Sequence, residues 1–328
     1  MELYSNILPY VKKCEEQIYA DLRNEEPTIY GMLPQFIARG GKRIRPVLCF
    51  LSCGVVGGKY DDVTEIASII EQFHNFSLIH DDIEDNSLFR RGEPTLHISH
   101  GLAMALNSGD ALYTLLWRRL ANLHMDPKRH IDMFRLCSGG FKKVVDGQGV
   151  EIAWIKNGRF DISEKEYFTM IGGKTAALLG LSAEAGAVIG GAGKTERDKL
   201  RRYGEKLGLA FQIHDDVLNL TGDFEKYQKE IGGDIAEGKR SLIVVHFLAH
   251  AKKEDKEKMI SLLKLEKKTE QQIQEAIRLL KSTNSIEYAS KHAIRLVEEA
   301  KGELAGLKES KDKTALIGVA DYTVLREK

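Results

Sequence analysis

Two short acidic stretches could do chemistry, and each follows an apolar run with helical spacing. In the first, Asp81 and Asp85 stand four residues apart, so their carboxylates leave one face of a helix one turn apart. Like charges at that spacing repel by roughly 0.2 to 0.5 kcal/mol, so a bound cation is expected to offset them. Mg²⁺ suits this role, because it prefers oxygen ligands and commonly bridges carboxylates to substrate phosphates.

The acidic pattern occurs a second time. Residues 78–82 read Leu-Ile-His-Asp-Asp, and residues 212–216 read Gln-Ile-His-Asp-Asp. Asn219 holds the position that Asp85 holds in the first copy, and an amide is a poorer metal ligand than a carboxylate. Two similar acidic stretches at the ends of helical runs predict one shared site.

Basic residues accompany the acidic ones. Arg90 and Arg91 follow the first stretch, and the run Gly-Gly-Lys-Arg-Ile-Arg-Pro, which begins at Gly40, carries Lys42 and Arg45. Glycine lets a backbone approach an anion closely, and guanidinium groups match pairs of phosphate oxygens. Carboxylates, a divalent cation and clustered Lys and Arg together predict a site for diphosphates.

The elements that must position these residues are helices. Apolar residues recur every three to four positions at 63–76, 200–218 and 273–280, whereas alternating strand patterns are scarce. The chain has only 6 prolines, and no Pro/Ser-rich linker divides it. We therefore predict an all-α fold with a single domain over residues 1–328.

Composition narrows the function classes. The 48 Lys and Arg balance 48 Asp and Glu, which argues against nucleic acid as a partner, because that partner requires an excess of positive charge. No apolar run is long enough for a membrane span, and no signal peptide is visible. The sequence predicts buried free thiols and a cytoplasmic protein, since no CxxC pair occurs among the cysteines Cys14, Cys49, Cys53 and Cys137.

These residues resemble the trans-isoprenyl diphosphate synthases, the polyprenyl synthetase family, and most of all its short-chain geranylgeranyl diphosphate synthases. The resemblance spans most of the chain in the family's order: residues 40–46, 74–97, 173–175, 211–216, 229, 233–234 and 238–240. It implies a bundle of antiparallel helices around a deep central cavity, with the two acidic motifs facing each other at its mouth.

The resemblance also implies a metal site. Mg²⁺, usually as three ions and with Mn²⁺ as a substitute, would be bound by Asp81, Asp85 and Asp215, with Asp82 and Asp216 in support. Two departures from the family pattern are visible. Asn219 replaces the last Asp of the second motif, and Glu151 replaces the Asp of a Gln-x-x-Asp pair that begins at Gln148. Both would weaken metal affinity.

Substrate contacts follow from the same resemblance. Isopentenyl diphosphate would be held by Lys42, Arg45, His74 and Arg91. The allylic diphosphate (dimethylallyl, geranyl or farnesyl) would be held by Arg90, Lys174, Lys229 and Lys239. Thr175 and Gln212 would place polar oxygens near the developing carbocation. The family is usually homodimeric, and the apolar run at residues 102–116 is consistent with a dimer.

The implied reaction is a head-to-tail (1'-4) condensation by ionisation, carbon–carbon bond formation and proton loss. Product length would depend on Phe76, five residues before Asp81, and on Phe73 one turn earlier. With a single aromatic at that place and the small Ser77 beside it, the pattern resembles geranylgeranyl (C20) synthases. Farnesyl (C15) and slightly longer products are the alternatives.

Two other classes of protein remain open from sequence. A metal-dependent phosphohydrolase also uses His-Asp pairs, such as His80-Asp81, but would leave Lys42 and Arg45 unexplained. A non-catalytic partner subunit would be expected to lose acidic ligands, whereas this chain keeps both Asp-Asp pairs. The hydrolase would be distinguished from the synthase by a need for Mn²⁺ or iron together with the release of phosphate from nucleotides.

Overall fold

The computed structural model describes residues 7–221 and 232–325, which are mostly helical. The all-α prediction is confirmed. The first helices are α1 (Leu8–Leu22), α2 (Pro27–Tyr30), α3 (Leu33–Ala38), α4 (Ile44–Val55), α5 (Thr64–Glu84), α6 (Leu96–His100), α7 (Leu102–Ala121) and α8 (Pro127–Lys156). The later helices are α9 (Glu164–Ile171), α10 (Ala177–Ile189), α11 (Lys194–Thr221), α12 (Gly233–Glu237), α13 (Leu242–His250), α14 (Lys253–Lys264), α15 (Glu270–Ser282), α16 (Ser285–Glu303) and α17 (Lys311–Leu325).

Packing divides the chain into two compact units. Unit 1 consists of Met1–Phe141, Leu178–Gly204 and Glu303–Gly318. Unit 2 consists of Lys142–Ala177, Glu205–Gly302 and Val319–Lys328. The long helices α8 and α11 contribute residues to both units. The single domain over the whole chain stays a prediction.

Helix α5 is the centre of unit 1. It packs against α1, α4 and α7, and it contains no Gly or Pro that would interrupt its 21 residues. Its buried side chains include Ile66, Ile70 and Phe73, each at most 1% exposed, and burial of such a side chain stabilises the fold by about 1.5 to 3 kcal/mol. The helix ends where Asn86 adopts a left-handed conformation, with φ 52°. A well-packed helix thus carries the first acidic motif at its C-terminal end.

A short hairpin follows α5. Strands β1 (Phe89–Arg90) and β2 (Glu93–Pro94) pair antiparallel. The two residues between them, Arg91 and Gly92, have φ values of 55° and 78°, as a type I′ hairpin turn requires. The hairpin fixes the direction in which the side chain of Arg90 extends from the backbone.

Unit 2 is organised around α9. Ser163 and Glu166 form a reciprocal capping box that begins this helix, and such a cap contributes about 1 kcal/mol. Helix α9 packs against α13, and its chain continues into a π turn at Gly172–Ala176. The residues Leu242 and Val244 of α13 are completely buried. The second acidic motif lies near the end of α11 in this unit.

Two predictions from composition can be compared with the described residues. Within 7–221 and 232–325, no helix combines the length and the apolar character needed to cross a membrane. All four cysteines are buried free thiols, as predicted. Burial raises the pKa of Cys53 and of Cys137 to about 12, so both remain protonated and unreactive near neutral pH.

Candidate active site

The first acidic motif contains one buried and two partly exposed carboxylates. Asp82 is 1% exposed and accepts a hydrogen bond of 2.8 Å from Nε of Arg90. The side chain of Asp81 is 23% exposed and lies 3.7 Å from the same guanidinium. Asp85 caps the end of α5. Asp82 therefore holds Arg90 in place, while Asp81 and Asp85 remain closer to solvent.

The paired charges of Asp82 and Arg90 act on each other. Burial raises the pKa of Asp82, although Arg90 acts in the opposite direction. Burial alone would lower the pKa of Arg90, but the carboxylates of Asp82 and Asp81 outweigh it and raise that pKa. Breaking such a buried pair by removing one partner typically costs about 3 to 5 kcal/mol. Arg90 is thus a fixed cation beside the motif.

Arg91 is held by the glycine loop upstream. Its guanidinium donates to the backbone oxygen of Gly40. A Cβ atom at Gly41 would lie 2.7 Å from Nη2 of Arg91, and the φ of Gly41 is 141°, so this position requires glycine. The Gly-Gly pair therefore makes room for a guanidinium, whereas sequence reasoning assigned it to the approach of an anion.

The basic residues after these glycines differ in their burial. Arg43 is 8% exposed and forms ion pairs of 2.6 Å with Glu15 and 2.9 Å with Glu71. It also has a left-handed backbone, with φ 47°. Lys42 is exposed beside it. Arg43 is thus fixed within the fold by two carboxylates, whereas Lys42 is exposed at the surface.

Arg45 and His74 form the centre of a basic cluster in unit 1. Nε of Arg45 is buried and has no hydrogen-bond partner, and burial lowers the pKa of this side chain to about 10. Burial also lowers the pKa of His74 well below its ordinary value. Nearby guanidinium groups add to that effect, and they belong to Arg45, Arg91, Arg90 and Arg43. His74 is therefore a neutral hydrogen-bonding group among cations.

Aromatic rings surround the two chain-length residues. Phe73 is completely buried and stacks on Phe141, with ring centroids 3.9 Å apart. Phe76 is partly exposed and lies 4.7 Å from the ring of Tyr113 on α7. Tyr113 in turn meets Trp117 edge to face at 6.0 Å. The rings next to Phe73 and Phe76 thus come from α7 and α8.

Two neighbours of these rings complete this part of unit 1. The hydroxyl of Ser77 donates to the backbone oxygen of His74 at 2.8 Å. The ring of His80 packs against Phe76 at 4.6 Å, and its Nε2 lies 3.4 Å from a carboxylate oxygen of Asp110. The ring of His80 thus lies against Phe76 of α5 and Gly109 of α7, and its buried Nε2 has no hydrogen-bond partner among the described residues.

In unit 2, the backbone of α8 lies directly on the π turn. A Cβ atom at Gly173 would lie 2.7 Å from the backbone oxygen of Lys143, and one at Gly147 would collide with the backbone of Lys174. Glycine at both positions permits this contact. The turn presents Lys174 and Thr175 next to α8, and π turns of this kind are frequent at functional sites.

Lys174 is paired with the residue that departs from the family pattern. Its ammonium donates to Oε2 of Glu151, which is 8% exposed. Gln148, one turn earlier on α8, is partly buried. Glu151 therefore fixes Lys174, in addition to any influence it has on a metal.

The second acidic motif contains a buried hydrogen-bond network. The hydroxyl of Tyr167 donates to Oδ2 of Asp216 at 3.2 Å, and Nε2 of Gln212 donates to Oδ1 of the same residue at 2.9 Å. The hydroxyl of Thr175 donates to Oε1 of Gln212 at 2.9 Å. Burial raises the pKa of Asp216 well above its ordinary value, and the carboxylate of Asp234 raises it further. Asp215 is partly exposed.

Tyr167, Gln212 and Asp216 of this network line a small cavity of about 30 Å³. Besides the network, it is lined by Glu151, Lys174, Asp234, Lys239 and Arg240. Lys239 lies 2.5 Å from Glu237 and 3.9 Å from Asp234. Arg240 stacks on the ring of Phe160 at 4.2 Å. Unit 2 thus brings Lys174 and Lys239 to the edge of one polar cavity.

Asn219 has a structural contact that the sequence does not predict. It is 5% exposed, and its side-chain oxygen accepts the backbone N–H of Asp234 at 3.1 Å. Its backbone oxygen accepts the N–H of Gly232 at 2.7 Å. Asn219 therefore anchors the chain that leads to Lys239. Lys229 lies outside the described residues.

The chemistry of the partly exposed carboxylates in each acidic motif suits a hard cation. Within the described ranges, no three His, Cys, Asp or Glu side chains form a ready metal cluster. Asp81, Asp85 and Asp215 nevertheless supply partly exposed carboxylate oxygens, and Mg²⁺ usually takes one or two carboxylates and completes its shell with waters and phosphates. Each acidic motif therefore offers oxygen atoms of the kind that Mg²⁺ takes.

Sequence reasoning missed two residues of these clusters. Tyr167 lies in an ordinary helical pattern, and nothing in its spacing indicates that its hydroxyl meets Asp216. Asp234 belongs to the Gly-Asp pair at 233–234 that the chain shares with the family. This pair is the sequence signal for Asp234, although the resemblance assigns it no role in the site. In the structure it lines the same cavity as Lys239.

Comparisons with known proteins identify the family of this chain. The model of the polyprenyl synthetase family matches residues 26–280. A short chain isoprenyl diphosphate synthase of Methanothermobacter thermautotrophicus is 37% identical over 100% of this chain and 99% of its own length. The crystal structure of a geranylgeranyl pyrophosphate synthetase from Pyrococcus horikoshii has a TM-score of 0.93 and 34% identity, and the match covers 99% of this chain and 98% of that one.

A third relative was solved with ligands. The polyprenyl synthase of Caulobacter crescentus, crystallised in complex with calcium and isoprenyl diphosphate, has a TM-score of 0.92 and 26% identity, with 99% of this chain and 97% of that chain covered. The similarity thus extends over the whole chain in sequence and in structure. The chain belongs to the polyprenyl synthetase family and is a prenyltransferase.

Proposed function

We propose that this prenyltransferase condenses isopentenyl diphosphate with allylic diphosphates, with Mg²⁺ as cofactor, and that its main product is geranylgeranyl diphosphate (C20). The observation that carries the proposal is the buried, unpartnered Nε of Arg45 beside His74. A buried N–H group without an acceptor is unfavourable. A diphosphate would supply the missing oxygen atoms and the negative charge.

The two substrates would use different residues. Isopentenyl diphosphate would bind to the basic cluster of unit 1: Lys42, Arg45, His74 and Arg91. The allylic diphosphate would bind to Arg90, Lys174, Lys239 and Lys229, of which Lys229 is not among the described residues. Because His74 is neutral, it would donate an N–H to a phosphate oxygen, whereas the arginines would provide both charge and paired donors.

The partly exposed aspartates would hold the metal. Asp81, Asp85 and Asp215 are the proposed ligands, with three ions expected and Mn²⁺ as a substitute. Bound Mg²⁺ would stabilise the negative charge of the diphosphate leaving group. Asp82 would keep Arg90 oriented through its hydrogen bond of 2.8 Å, so that the guanidinium meets the same developing charge.

The remaining chemistry needs no protein nucleophile. The C1–O bond of the allylic diphosphate breaks, and diphosphate leaves with the electron pair. The double bond of isopentenyl diphosphate then attacks C1 through its C4 atom, and the proton lost from C2 passes to the departing diphosphate. Oxygens of Thr175 and Gln212 would face the cation. Water must be excluded, because it would capture that cation.

Product length would be set where Phe76 closes the path of the growing chain. Phe76 is the partly exposed ring of the aromatic group, whereas Phe73 is completely buried. The relative from Pyrococcus horikoshii, a geranylgeranyl pyrophosphate synthetase, supports a C20 product. Farnesyl or slightly longer products are the outcomes that would contradict this length.

Assembly into a homodimer is part of the proposal. Leu102 and Leu106, one turn apart on α7, are 58% and 44% exposed, and Ile98 on α6 is 49% exposed. A stripe of exposed apolar side chains is typical of an interface, and a second copy of this chain is the proposed occupant. We also propose the cytoplasmic location predicted from the sequence.

The rival classes lose their support. The phosphohydrolase hypothesis requires the histidine before the first Asp pair as a metal ligand, but His80 packs against Phe76 and lies near Asp110. The chain also keeps both Asp-Asp pairs, which a silent partner subunit would not need. The family match favours neither alternative.

The test is a condensation assay on the purified chain with Mg²⁺, isopentenyl diphosphate and farnesyl diphosphate. We expect a C20 diphosphate and released diphosphate, and no product in the presence of a chelator. Asp81→Asn and Asp215→Asn should each lower kcat by about 10²-fold or more. The control is Asp161→Asn, which changes a side chain that is 85% exposed. Near-wild-type rates for both motif variants would contradict the metal assignment.

A further inference from the structure

We propose that Tyr167 is a positioning residue for prenyl transfer: its buried hydroxyl holds Asp216, and Asp216 fixes the direction of the Gln212–Thr175 hydrogen bond. The inference rests on the proposed function and assigns a task to a residue outside the acidic and basic motifs. Tyr167 contacts neither substrate in this proposal. It acts through three other side chains of unit 2.

The geometry of the network is directional. Tyr167 donates to Oδ2 of Asp216 at 3.2 Å, and Gln212 donates through Nε2 to Oδ1 at 2.9 Å. Oδ1 therefore acts as an acceptor, and the side-chain amide of Gln212 must turn its NH₂ group toward it. Oε1 of Gln212 then points away from Asp216 and accepts from Thr175 at 2.9 Å.

The direction of these hydrogen bonds decides whether Thr175 presents its lone pairs or its O–H group to the site. A hydroxyl has one donor and two acceptor lone pairs. Because the Thr175 hydroxyl donates its hydrogen bond to Oε1 of Gln212, the lone pairs of the Thr175 oxygen remain available. They can face positive charge. If the Gln212 amide were reversed, its NH₂ group would donate to the Thr175 oxygen. The O–H of Thr175 would then point toward the cation, which would be unfavourable.

Burial restricts the motion of Tyr167 and so keeps its hydrogen bond to Asp216 in place. The residue is 1% exposed, and it lies on α9 between the capping box at Ser163 and the π turn. Burial and the Asp216 carboxylate raise the pKa of its phenol well above the ordinary value, so the hydroxyl keeps its proton. Without that hydroxyl, one oxygen of a buried side chain loses its donor, and Asp216 can rotate.

The consequence concerns the fate of the allylic cation. In condensation, the electrons of the isopentenyl double bond form the new C–C bond, and the lost proton goes to diphosphate. In the competing hydrolysis, a water oxygen forms the bond to C1 and its proton goes to diphosphate, which gives a prenyl alcohol. Poorly oriented oxygens leave the cation less stabilised and more open to water. The ratio of alcohol to condensed product therefore reports on the network.

The chain offers a matched control. Tyr203 is completely buried, like Tyr167, and its hydroxyl donates to the backbone oxygen of Leu316 at 2.6 Å. Tyr203 and Leu316 both belong to unit 1. Tyr203→Phe thus removes a buried tyrosine hydrogen bond without touching Asp216 or Gln212. Its effect on folding calibrates the purely structural part of Tyr167→Phe.

The experiment compares wild type, Tyr167→Phe and Tyr203→Phe, with farnesyl diphosphate, isopentenyl diphosphate and Mg²⁺, and with rates corrected for the folded fraction by circular dichroism. We expect Tyr167→Phe to lower kcat by about 10- to 10²-fold, to leave both KM values within about threefold, and to raise the alcohol-to-product ratio. Tyr203→Phe should keep the wild-type ratio. An unchanged ratio in Tyr167→Phe would overturn the inference.

A second set of variants tests the other end of the network. Thr175→Val removes the hydroxyl and should raise the alcohol ratio, whereas Thr175→Ser retains it and should not. If Tyr167 acts through Thr175, the double variant Tyr167→Phe/Thr175→Val should be no worse than the poorer single variant. Additive losses of kcat would overturn the inference. A wild-type protein that forms no condensed product would overturn the proposed function itself, which is a different result.

Discussion

Phe73 and Phe141 stack face to face, with ring centroids 3.9 Å apart and planes only 3° from parallel. Phe76, three residues after Phe73, takes no part in this stack and is partly exposed. Sequence reasoning treats the two phenylalanines as one floor for the growing chain. In the structure the two rings meet edge to face at 5.5 Å, but only Phe73 is a completely buried core residue.

The first prediction therefore distinguishes the two rings. Phe76→Ala should lengthen the product beyond C20, because it removes the proposed floor. Phe73→Ala should instead destabilise the protein by about 3 to 5 kcal/mol and change product length less. Chromatography of dephosphorylated products and thermal unfolding measure the two effects. An unchanged product from Phe76→Ala would place the floor elsewhere.

The second prediction separates the two diphosphate sites. Arg45→Ala should raise the KM for isopentenyl diphosphate by about tenfold or more, since a charged hydrogen bond contributes about 1.5 to 3 kcal/mol. Lys239→Ala should act mainly on the KM for the allylic substrate. Lys142→Ala is the control, because its side chain is 75% exposed. Equal effects of both variants on both substrates would refute the separation.

The third prediction concerns the ion pair between Glu151 and Lys174. Glu151→Gln should lower kcat by about tenfold, because Lys174 loses the partner that orients its ammonium. Glu151→Asp, which restores the usual family residue, should lose less. Steady-state kinetics with the allylic substrate in excess distinguish the two variants. Identical losses would mean that the charge of Glu151 has no positioning effect.

The fourth prediction is a dependence of stability on pH. An unfolded histidine gains a proton near pH 6.5, whereas His74 in the folded protein resists protonation, because burial lowers its pKa. The unfolded state therefore binds more protons as pH falls below about 6.5, and His74 destabilises the fold by at most about 1.4 kcal/mol per pH unit. His74→Gln should flatten the fall in Tm between pH 7 and pH 5.

A surface histidine provides the comparison for that experiment. His100 is exposed at the end of α6, so His100→Gln should leave the pH dependence of Tm as in wild type. A His74→Gln profile that is parallel to the wild-type profile would show that His74 takes up its proton equally in both states.

The fifth prediction concerns the dimer. Replacing Leu102 and Leu106 by Glu should yield a monomer by light scattering, because charged residues would occupy the apolar stripe. Buried residues of the same helix, such as Leu112 and Leu116, already belong to the core of the chain. A wild-type monomer at micromolar concentration would contradict the proposal.

The sequence predicts the helices and the acidic motifs because both follow from local patterns. Periodic apolar residues locate α5, and the spacing of Asp81 and Asp85 is sufficient to indicate a cation site. The same patterns do not distinguish Arg43 from Arg45. Their difference depends on Glu15 and Glu71, which are distant in the sequence.

Long-range contacts also explain what sequence reasoning missed. Asn219 is weaker than Asp as a metal ligand, but its contact with the backbone of Asp234 forms across a gap of 15 residues. Tyr167 meets Asp216 across 49 residues. Neither pairing has a local signature, because each depends on how helices pack rather than on the period within one helix.

The π turn at Gly172–Ala176 has a genetic consequence. It holds one residue more than an α-helical turn, so the in-frame loss of one codon there would let the chain continue as a regular α-helix. Residues after the turn would keep about the same direction relative to Tyr167, because the five residues of the π turn cover about the rotation of four α-helical residues. The residues within the turn, Thr175 among them, would change direction. Such a deletion would leave composition and hydropathy almost unchanged, yet it would move Thr175 away from Gln212. Loops elsewhere in the chain would tolerate the deletion of a single codon. At these five positions, we expect such deletions to be selected against.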